Sequence, residues 1–289
     1  MTTGGARIGN ARADLHTHSS ASDGLLAPAG LIRQASERGL SVLALTDHDT
    51  TLGLDEARRA GRELGVRVIS GVELSTGVDE GQLHVLGYGF NERNPDLLTR
   101  LATLRASRAG RALAIIERLR ELGVAIDAET ARPTRPGESI GRPHIARAMV
   151  GAGHVGSVAE AFERYLGDGR PAYVASRRLT PEAAVQLIVE AGGVAVLAHP
   201  YSYPAFRERL PSLIAAGLQG IEVYYGEHSC QQIDEMERVA DRRGLLAAGG
   251  SDYHGDIGSE RRALGSARLP DDALARFLRR LDSGSALSD

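Results

Sequence analysis

The residues in this chain best suited to do chemistry are histidines with carboxylates near them, and the densest group is Asp14-Leu15-His16-Thr17-His18 followed by Ser22-Asp23-Gly24. Two histidines one residue apart on an extended segment point to the same face, because strand side chains alternate with a period of two. Such a pair is a pincer for a metal ion, and imidazole is the commonest metal ligand near neutral pH. On its own the pair fits an ordinary surface strand equally well. Further ligands must come from elsewhere in the chain, so the elements that carry the other histidines and acids decide the matter.

Those elements alternate. A strand over 12–18 leads to a helix that opens at Pro28, buries Leu31, Ile32 and Ala35, and stops at Gly39. Ser41 to Thr46 is a continuous apolar run, the pattern of a strand buried on both faces of a parallel sheet, and it ends in Asp47-His48-Asp49. A helix over 54–64 and a strand from Arg67 bring the chain to Glu73, and Leu83 to Tyr88 is a fourth strand that contains His84. Near Asn91 the alternation breaks. Leu97 to Leu122 carries the apolar stripe Leu101, Leu104, Ala112, Ile115, Ile116 and Leu119. A proline-rich link over 132–136 then leads to Gly141-Arg142-Pro143-His144 and more helix. The arginines at 100, 105, 108, 111, 118 and 120 read as solvating the outside of the long helix.

After residue 173 the rhythm resumes. Thr180 caps a helix with Pro181 at its first position, and Val194 to Ala198 is a buried strand that ends in His199-Pro200. Gly220 to Tyr224 is a further strand, followed by a helix over 229–243, and Leu245 to Gly249 runs into Ser251-Asp252-Tyr253-His254. Seven strands, mostly separated by helices, predict an α/β fold: a closed or nearly closed (β/α)7 TIM-like barrel over 12–90 and 174–270, with a helical insert over 91–173.

Composition narrows the function classes. With 289 residues, 42% hydrophobic and 25% charged, the chain can bury a large core, and only Met1 to Asn10 and Ser283 to Asp289 read as unstructured ends. A net charge of -3 argues against a general nucleic-acid coat and leaves local basic patches open. No apolar run approaches the ~20 residues that span a bilayer, no signal-like segment precedes the first strand, and Cys230, the single cysteine, reads as an inert small residue. A cytoplasmic location is expected. All 34 basic residues are arginine, which excludes a Walker-type phosphate loop and Schiff-base chemistry, since both need lysine.

Placed on that map, His16, His18, Asp23, Asp47, His48, Glu73, His199, Asp252 and His254 fall at or just past the C-terminal ends of strands, with His84 near the same mouth. In a barrel those ends converge on the face where active sites are built. Mixed imidazole and carboxylate ligands without thiolate suit Zn, Mn or Fe, and there are too many for one ion. Two or three divalent ions are implied. Closely spaced ions can hold a hydroxide between them and clamp both oxygens of a phosphoryl transfer. The expected reaction is therefore phosphoester hydrolysis by metal-bound hydroxide attacking phosphorus.

The ordered motifs Asp14-Leu15-His16-Thr17-His18, Thr46-Asp47-His48-Asp49, Gly71-Val72-Glu73-Leu74-Ser75, Ala198-His199-Pro200 and Gly250-Ser251-Asp252-Tyr253-His254 resemble those of the PHP (polymerase and histidinol phosphatase) metal-dependent phosphoesterases. The insert motifs Gly141-Arg142-Pro143-His144 and Gly169-Arg170-Pro171-Ala172-Tyr173 resemble the subgroup of nucleoside 3',5'-bisphosphate phosphatases and 5'-to-3' exoribonucleases that trim short RNA. The resemblance implies a distorted seven-stranded barrel and a trinuclear site, with Mn expected first and Fe or Zn as alternatives. It implies one ion on His16, His18, Glu73 and Asp252, a second on Glu73, His84 and His199, and a third on Asp23, His48 and His254. Some relatives carry histidine near Asp23, and without that ligand two ions suffice. Asp47 would orient His48 or a nearby histidine.

For substrate, Arg142, His144 and Arg170 are the expected phosphate contacts, since the guanidinium fork binds phosphate at two points and the insert can hang over the mouth as a lid. His228, after the sixth strand, is the candidate acid for the leaving alkoxide. The expected partner is a phosphorylated small molecule or nucleotide, extending to short RNA, with no membrane and no obligate protein partner. Three rival activities remain open: a cyclic phosphodiesterase or other small-molecule phosphatase, an amidohydrolase-type C–N hydrolase, and a non-catalytic nucleotide-binding module. The second would usually bridge its ions with a lysine, which this chain lacks.

Overall fold

Seven short strands make one sheet in sequence order: β1 (Ala13–Thr17), β2 (Val42–Leu45), β3 (Arg67–Ser75), β4 (His84–Tyr88), β5 (Val194–Leu197), β6 (Gly220–Tyr225) and β7 (Leu246–Gly250). They are seen in a computed structural model that describes residues 12–77, 83–127, 129, 140–175, 179–255, 260–267 and 269–285. The expected loose start over Met1–Asn10, the proline-rich link over 132–136 and the last four residues lie outside the described residues. The sheet closes on itself just past β7, where Asp252 N donates to His16 O at 2.9 Å and His18 N donates to Tyr253 O at 2.9 Å.

One strand breaks the (β/α) rule. β4 runs antiparallel to both β3 and β5, whereas the other neighbouring pairs are parallel. The link over 76–83 is shorter than the dozen or so residues a parallel crossover needs, so the chain must turn back. The consequence is functional, because β4 begins at the mouth where β3 ends. Ser75 pairs with His84, and Ala198 N donates to His84 O at 3.1 Å.

The helices α1 (Pro28–Glu37) and α2 (Leu54–Leu64) cover one flank, burying Leu31, Ile32 and Leu54 against Leu43 and Leu45. On the other flank lie α6 (Pro181–Glu190), α7 (Phe206–Ala215) and α8 (Cys230–Arg243). The barrel interior is a separate core built from Leu15, Ala44, Ile69, Leu86, Tyr88, Val194, Val196 and Ala248. It is closed by α9 (Asp271–Ser285), whose Leu274, Phe277, Leu278 and Leu281 belong to that core. This differs from the expectation from sequence, which ends the barrel at 270 and has a loose end from Ser283. Apolar residues at helical spacing after Pro270 account for the difference.

Between β4 and β5 the helices α3 (Pro95–Glu121), α4 (Arg142–Gly151) and α5 (Val158–Ala161) form the insert. Asn94 caps α3, its side chain accepting from Asp96 N and Leu97 N. The first half of α3 packs Leu97, Leu101 and Leu104 on the barrel's outer core, and the second half packs Ala112, Ile115 and Leu119 into a core of the insert's own with Ile145, Met149 and Leu166. One rigid rod thus joins the two bodies.

The T-shaped pair of Tyr88 and Phe277, with ring centroids 5.1 Å apart, marks how α9 closes the barrel. Phe277→Ala should lower unfolding stability by about 3–5 kcal/mol, read from the shift of a urea unfolding midpoint. A shift under 1 kcal/mol would mean that the helix is not part of the core.

Candidate metal centre

The mouth is built by irregularities at strand ends. Ala13 and Leu15 both belong to the interior core, so strict alternation would send His16 outward. Instead the pairing of β1 with β2 shifts between Asp14 and Thr17, Leu15 and His16 opposing Ala44 alone, and this bulge turns His16 inward. A second shift between Glu222 and Tyr224 on β6 lets Glu222 face the interior while Tyr225 reaches the mouth. Gly250 is needed beside the first bulge, because a Cβ there would lie 2.3 Å from His16 Cβ. Among the described residues three non-glycine residues have positive φ, namely Asp49 (56°), His199 (24°) and Asp252 (55°), each past a strand end at this mouth. Such backbone is costly and gathers at functional sites.

The result is a buried carboxylate, Glu73, ringed by imidazoles. Its Oε2 lies 3.4 Å from His16 Nε2, 3.2 Å from His18 Nε2 and 3.1 Å from His48 Nδ1. Its Oε1 lies 2.7 Å from His84 Nδ1 and 3.1 Å from His199 Nε2. Asp252 Oδ1 completes one cluster at 3.4 Å from His16 Nε2 and 3.2 Å from His18 Nε2. Asp23 gathers another, with Oδ1 3.2 Å from His254 Nε2 and 4.0 Å from His18 Nδ1, and Oδ2 3.8 Å from His48 Nε2. Burial alone would raise the pKa of Glu73, yet His48, His84 and His16 hold it well below the usual carboxylate range. Asp252 is likewise held down, by Arg262, His16 and His254 against the effect of burial.

These atoms fit metal ions. His16 Nε2, both nitrogens of His18, His48 Nδ1, His84 Nε2, Asp23 Oδ1 and Glu73 Oε2 are buried with no hydrogen-bond partner, a state that costs free energy and that a bound cation would relieve at one nitrogen of each ring and at the carboxylates. Bonds of ~2.1 Å in tetrahedral or octahedral geometry separate neighbouring donors by about 3.0–3.4 Å. Among the described residues three groups of donors lie close enough together to surround an ion, some pairs at those separations and others up to 4.0 Å apart: His16, His18, Glu73 and Asp252; His18, Asp23, His48 and His254; and His48, Glu73 and His84. The chain therefore carries the means to hold one or more divalent ions. The resemblance put His48 with Asp23 and His254 only, whereas here His48 lies beside both the Asp23 and the Glu73 groups, and His199 joins Glu73 by its 3.1 Å contact.

Outer partners aim the ligands. Glu222, which the sequence reading missed, accepts at 3.0 Å from His16 Nδ1 and at 2.7 Å from His199 N, at 1% exposure. Its signal was a lone acid inside the apolar run Ile221-Glu222-Val223. Asp47 was expected to orient a histidine; its carboxylate instead accepts from Ser19 N, Ser19 Oγ and Ser22 Oγ at 2.6–2.8 Å, and so shapes the loop that carries Asp23.

A cavity of about 520 Å³ opens above these ligands. Arg108, Arg111 and Arg142 line its insert side and Arg262 its barrel side. Arg108 Nε donates to Asp49 Oδ2 at 2.5 Å and Nη2 to Ser75 Oγ, and Arg105 donates to Asp49 O at 3.2 Å. The reading that all six arginines of the long helix solvate its outside is thus corrected. Arg108 and Arg111 follow Leu104 and precede Ile115 at three- and four-residue steps, which puts them on the inward stripe; Arg100, Arg118 and Arg120 are exposed.

Among the expected substrate residues, Arg142 lines the cavity, held by Asp168 Oδ1 at 2.8 Å and lying 5.5 Å from the Phe162 ring. His144 turns back to accept from Gly141 N at 3.1 Å and does not line the cavity. Arg170 is exposed and away from the cavity wall. His228 also lies off the wall, its Nδ1 2.9 Å from Val223 O and its ring against Tyr201 and Tyr225. Burial holds its pKa below the ordinary histidine value.

The geometry and the relatives agree. A PHP-domain family profile matches residues 14–121. A 3',5'-nucleoside bisphosphate phosphatase of Chromobacterium violaceum is 39% identical over 84% of this chain and 87% of its own length. A 5'-3' exoribonuclease of Haemophilus influenzae is 37% identical over 83% of this chain and 89% of its own. Among solved structures, a sulfate-bound amidohydrolase from Chromobacterium violaceum superposes with TM-score 0.83 at 37% identity, covering 95% of this chain and 97% of that one. A proposed metal-dependent phosphoesterase from Bifidobacterium adolescentis gives TM-score 0.85 at 31% identity, covering 94% and 97%. The chain belongs to the PHP family of metal-dependent phosphoesterases. No helix among the described residues is long and apolar enough to cross a membrane.

Stripping metal with a chelator should lower the melting temperature, and adding back Mn to ~100-fold above its dissociation constant should restore about 2.7 kcal/mol, on the order of 5 °C. Glu73→Gln should largely abolish the response. A chelator-insensitive melting curve with no bound metal by mass spectrometry would contradict the fit.

Proposed function

We propose that this enzyme removes a phosphate from nucleotides that carry a second phosphate, as a nucleoside 3',5'-bisphosphate 3'-phosphatase, and that short 5'-phosphorylated RNA trimmed from its 5' end enters the same cavity. The observation that carries the reading is the split of the cavity into a floor of imidazoles and carboxylates and a wall of arginines on the insert. Bound at the floor, two or three divalent ions, Mn foremost, would supply Lewis acidity and an activated water for in-line attack on phosphorus. His16, His18, Glu73 and Asp252 would hold one ion, His84 and His199 would share Glu73 in holding a second, and Asp23, His48 and His254 would hold a third.

The chain's own residues do the rest. Glu222 fixes the His16 ring through Nδ1, so that its Nε2 faces the floor. Arg142, braced by Asp168 and stacked on Phe162, keeps its fork pointed along the cavity wall, and Arg108 sets a second positive charge beside Ser75. A dianionic phosphate held there places the scissile ester over the floor, which is positioning of the kind that lowers an entropic barrier. The insert as a whole acts as the lid. The names of the relatives support this reading, and one at 35% identity over 85% of the chain, a phosphoribosyl 1,2-cyclic phosphate 1,2-diphosphodiesterase of Eggerthella lenta, makes a cyclic diester the first rival substrate.

Metal-stripped enzyme reloaded with Mn should release phosphate from adenosine 3',5'-bisphosphate with a higher kcat/KM than from AMP, and should shorten a 5'-phosphorylated RNA pentamer. Arg142→Ala should raise KM for the bisphosphate by roughly 10- to 100-fold, the worth of a charge-assisted hydrogen bond, with a smaller effect on AMP. Absence of phosphate or nucleotide release under Mn, Fe or Zn defeats the proposal, and turnover of a cyclic phosphodiester alone would transfer it to the rival.

A further inference from the structure

The carboxylate of Asp252 faces two ways. Its Oδ1 belongs to the imidazole cluster described above, 3.4 Å from His16 Nε2 and 3.2 Å from His18 Nε2. Its Oδ2 turns aside and accepts from Tyr225 Oη at 3.2 Å and from Arg262 Nη2. Arg262 Nη2 also donates to Tyr225 Oη at 2.8 Å, and its guanidinium lies 5.9 Å from the Tyr225 ring centroid, so the three groups close a triangle.

The backbone beneath is already fixed. Asp252 sits at φ 55°, with its N donating to His16 O at 2.9 Å. Neighbouring Ser251 is tied to buried Asp14 through N at 2.9 Å and Oγ at 2.6 Å. What remains free is rotation of the carboxylate about its own side-chain bonds. Tyr225 and Arg262 are the groups that hold Oδ2.

We propose that Arg262, together with Tyr225, is a positioning residue for Asp252: the clamp keeps this carboxylate one-toothed, offering Oδ1 alone to the cation of the His16, His18, Glu73 and Asp252 cluster. This rests on the reading of Asp252 as a ligand. Two effects of opposite sign meet at Arg262. Its positive charge repels a cation, so charge removal alone would tighten metal binding. Release of the clamp lets the carboxylate rotate and swing Oδ2 into the cluster, so that binding must order it again, which weakens affinity. The second effect is the larger. Arg262 is already ion-paired with Asp252 and 4.0 Å from Glu227, and its side chain is 37% exposed, so its repulsion is screened. Outer partners of metal ligands, in contrast, are worth about 10- to 100-fold in affinity.

The test is a calorimetric titration of metal-free protein with Mn, with bound metal counted by mass spectrometry and folding checked by the metal-free circular dichroism spectrum. Arg262→Gln and Arg262→Lys should each weaken Mn binding at one class of site by about 10- to 100-fold. Tyr225→Phe, which keeps the ring in place, should weaken it less, and the double variant should show less than the sum of the two, because both act on one carboxylate. Wild-type or tighter Mn affinity in Arg262→Gln overturns the clamp. If Asp252→Asn itself leaves Mn binding unchanged, the ligand reading falls, and the clamp falls with it; weakened binding in Asp252→Asn but not in Arg262→Gln removes the clamp alone.

Discussion

A single ionised carboxylate, Glu73, buried to 1% exposure and faced by five imidazoles, is the constraint to which the rest of the molecule answers. Taking a carboxylate out of water costs several kcal/mol unless compensating charge or hydrogen bonds meet it. Imidazole nitrogens buried around it without hydrogen-bond partners add to that cost. A divalent cation relieves both at once, since it neutralises the acid and occupies the ring nitrogens. The orphaned atoms at this mouth are the signature of a site whose native partner is a metal rather than another side chain.

Bringing such a ring together demands departures from regular structure. β4 reverses so that His84 starts at the mouth instead of ending far from it. The bulge in β1 turns His16 inward, the bulge in β6 separates Glu222 from Tyr225, and three positive-φ residues aim side chains that ordinary strand ends would misdirect. The regular parts of the fold supply the rigidity that these strained positions need. Two flanking cores, an interior core and α9 hold the strands from both sides.

The candidate ligand residues were legible in the sequence because strand ends in a barrel share one face, so five apolar runs that each stop at a histidine or acid converge without any tertiary information. The direction of β4 could also have been read, from the short link after Ser75. The bulges could not, because nothing in Asp14-Leu15-His16 distinguishes a bulged from a regular strand until a partner strand sets the register. Glu222 hid inside an apolar run. Arg108 and Arg111 were legible on the inward stripe of α3 but were set aside with their exposed neighbours, since arginine on a helix is usually solvated. His228 and Arg170 show the converse: a reactive type at a suitable place in the chain, carried off the cavity wall by local packing.

In the proposed function, choice of substrate falls to the insert, which faces the floor across the cavity. α3 spans both cores, so arginines on its inward face are held at a fixed height above the ligands. The central claim, that these distant imidazoles and acids share a cluster of ions, is tested most directly by anomalous diffraction at the manganese edge from crystals grown with Mn. The account predicts at least two strong peaks, one among His16, His18, Glu73 and Asp252 and one among Asp23, His48 and His254. A featureless map at this mouth, with Mn present and the side chains in the positions described, would contradict it.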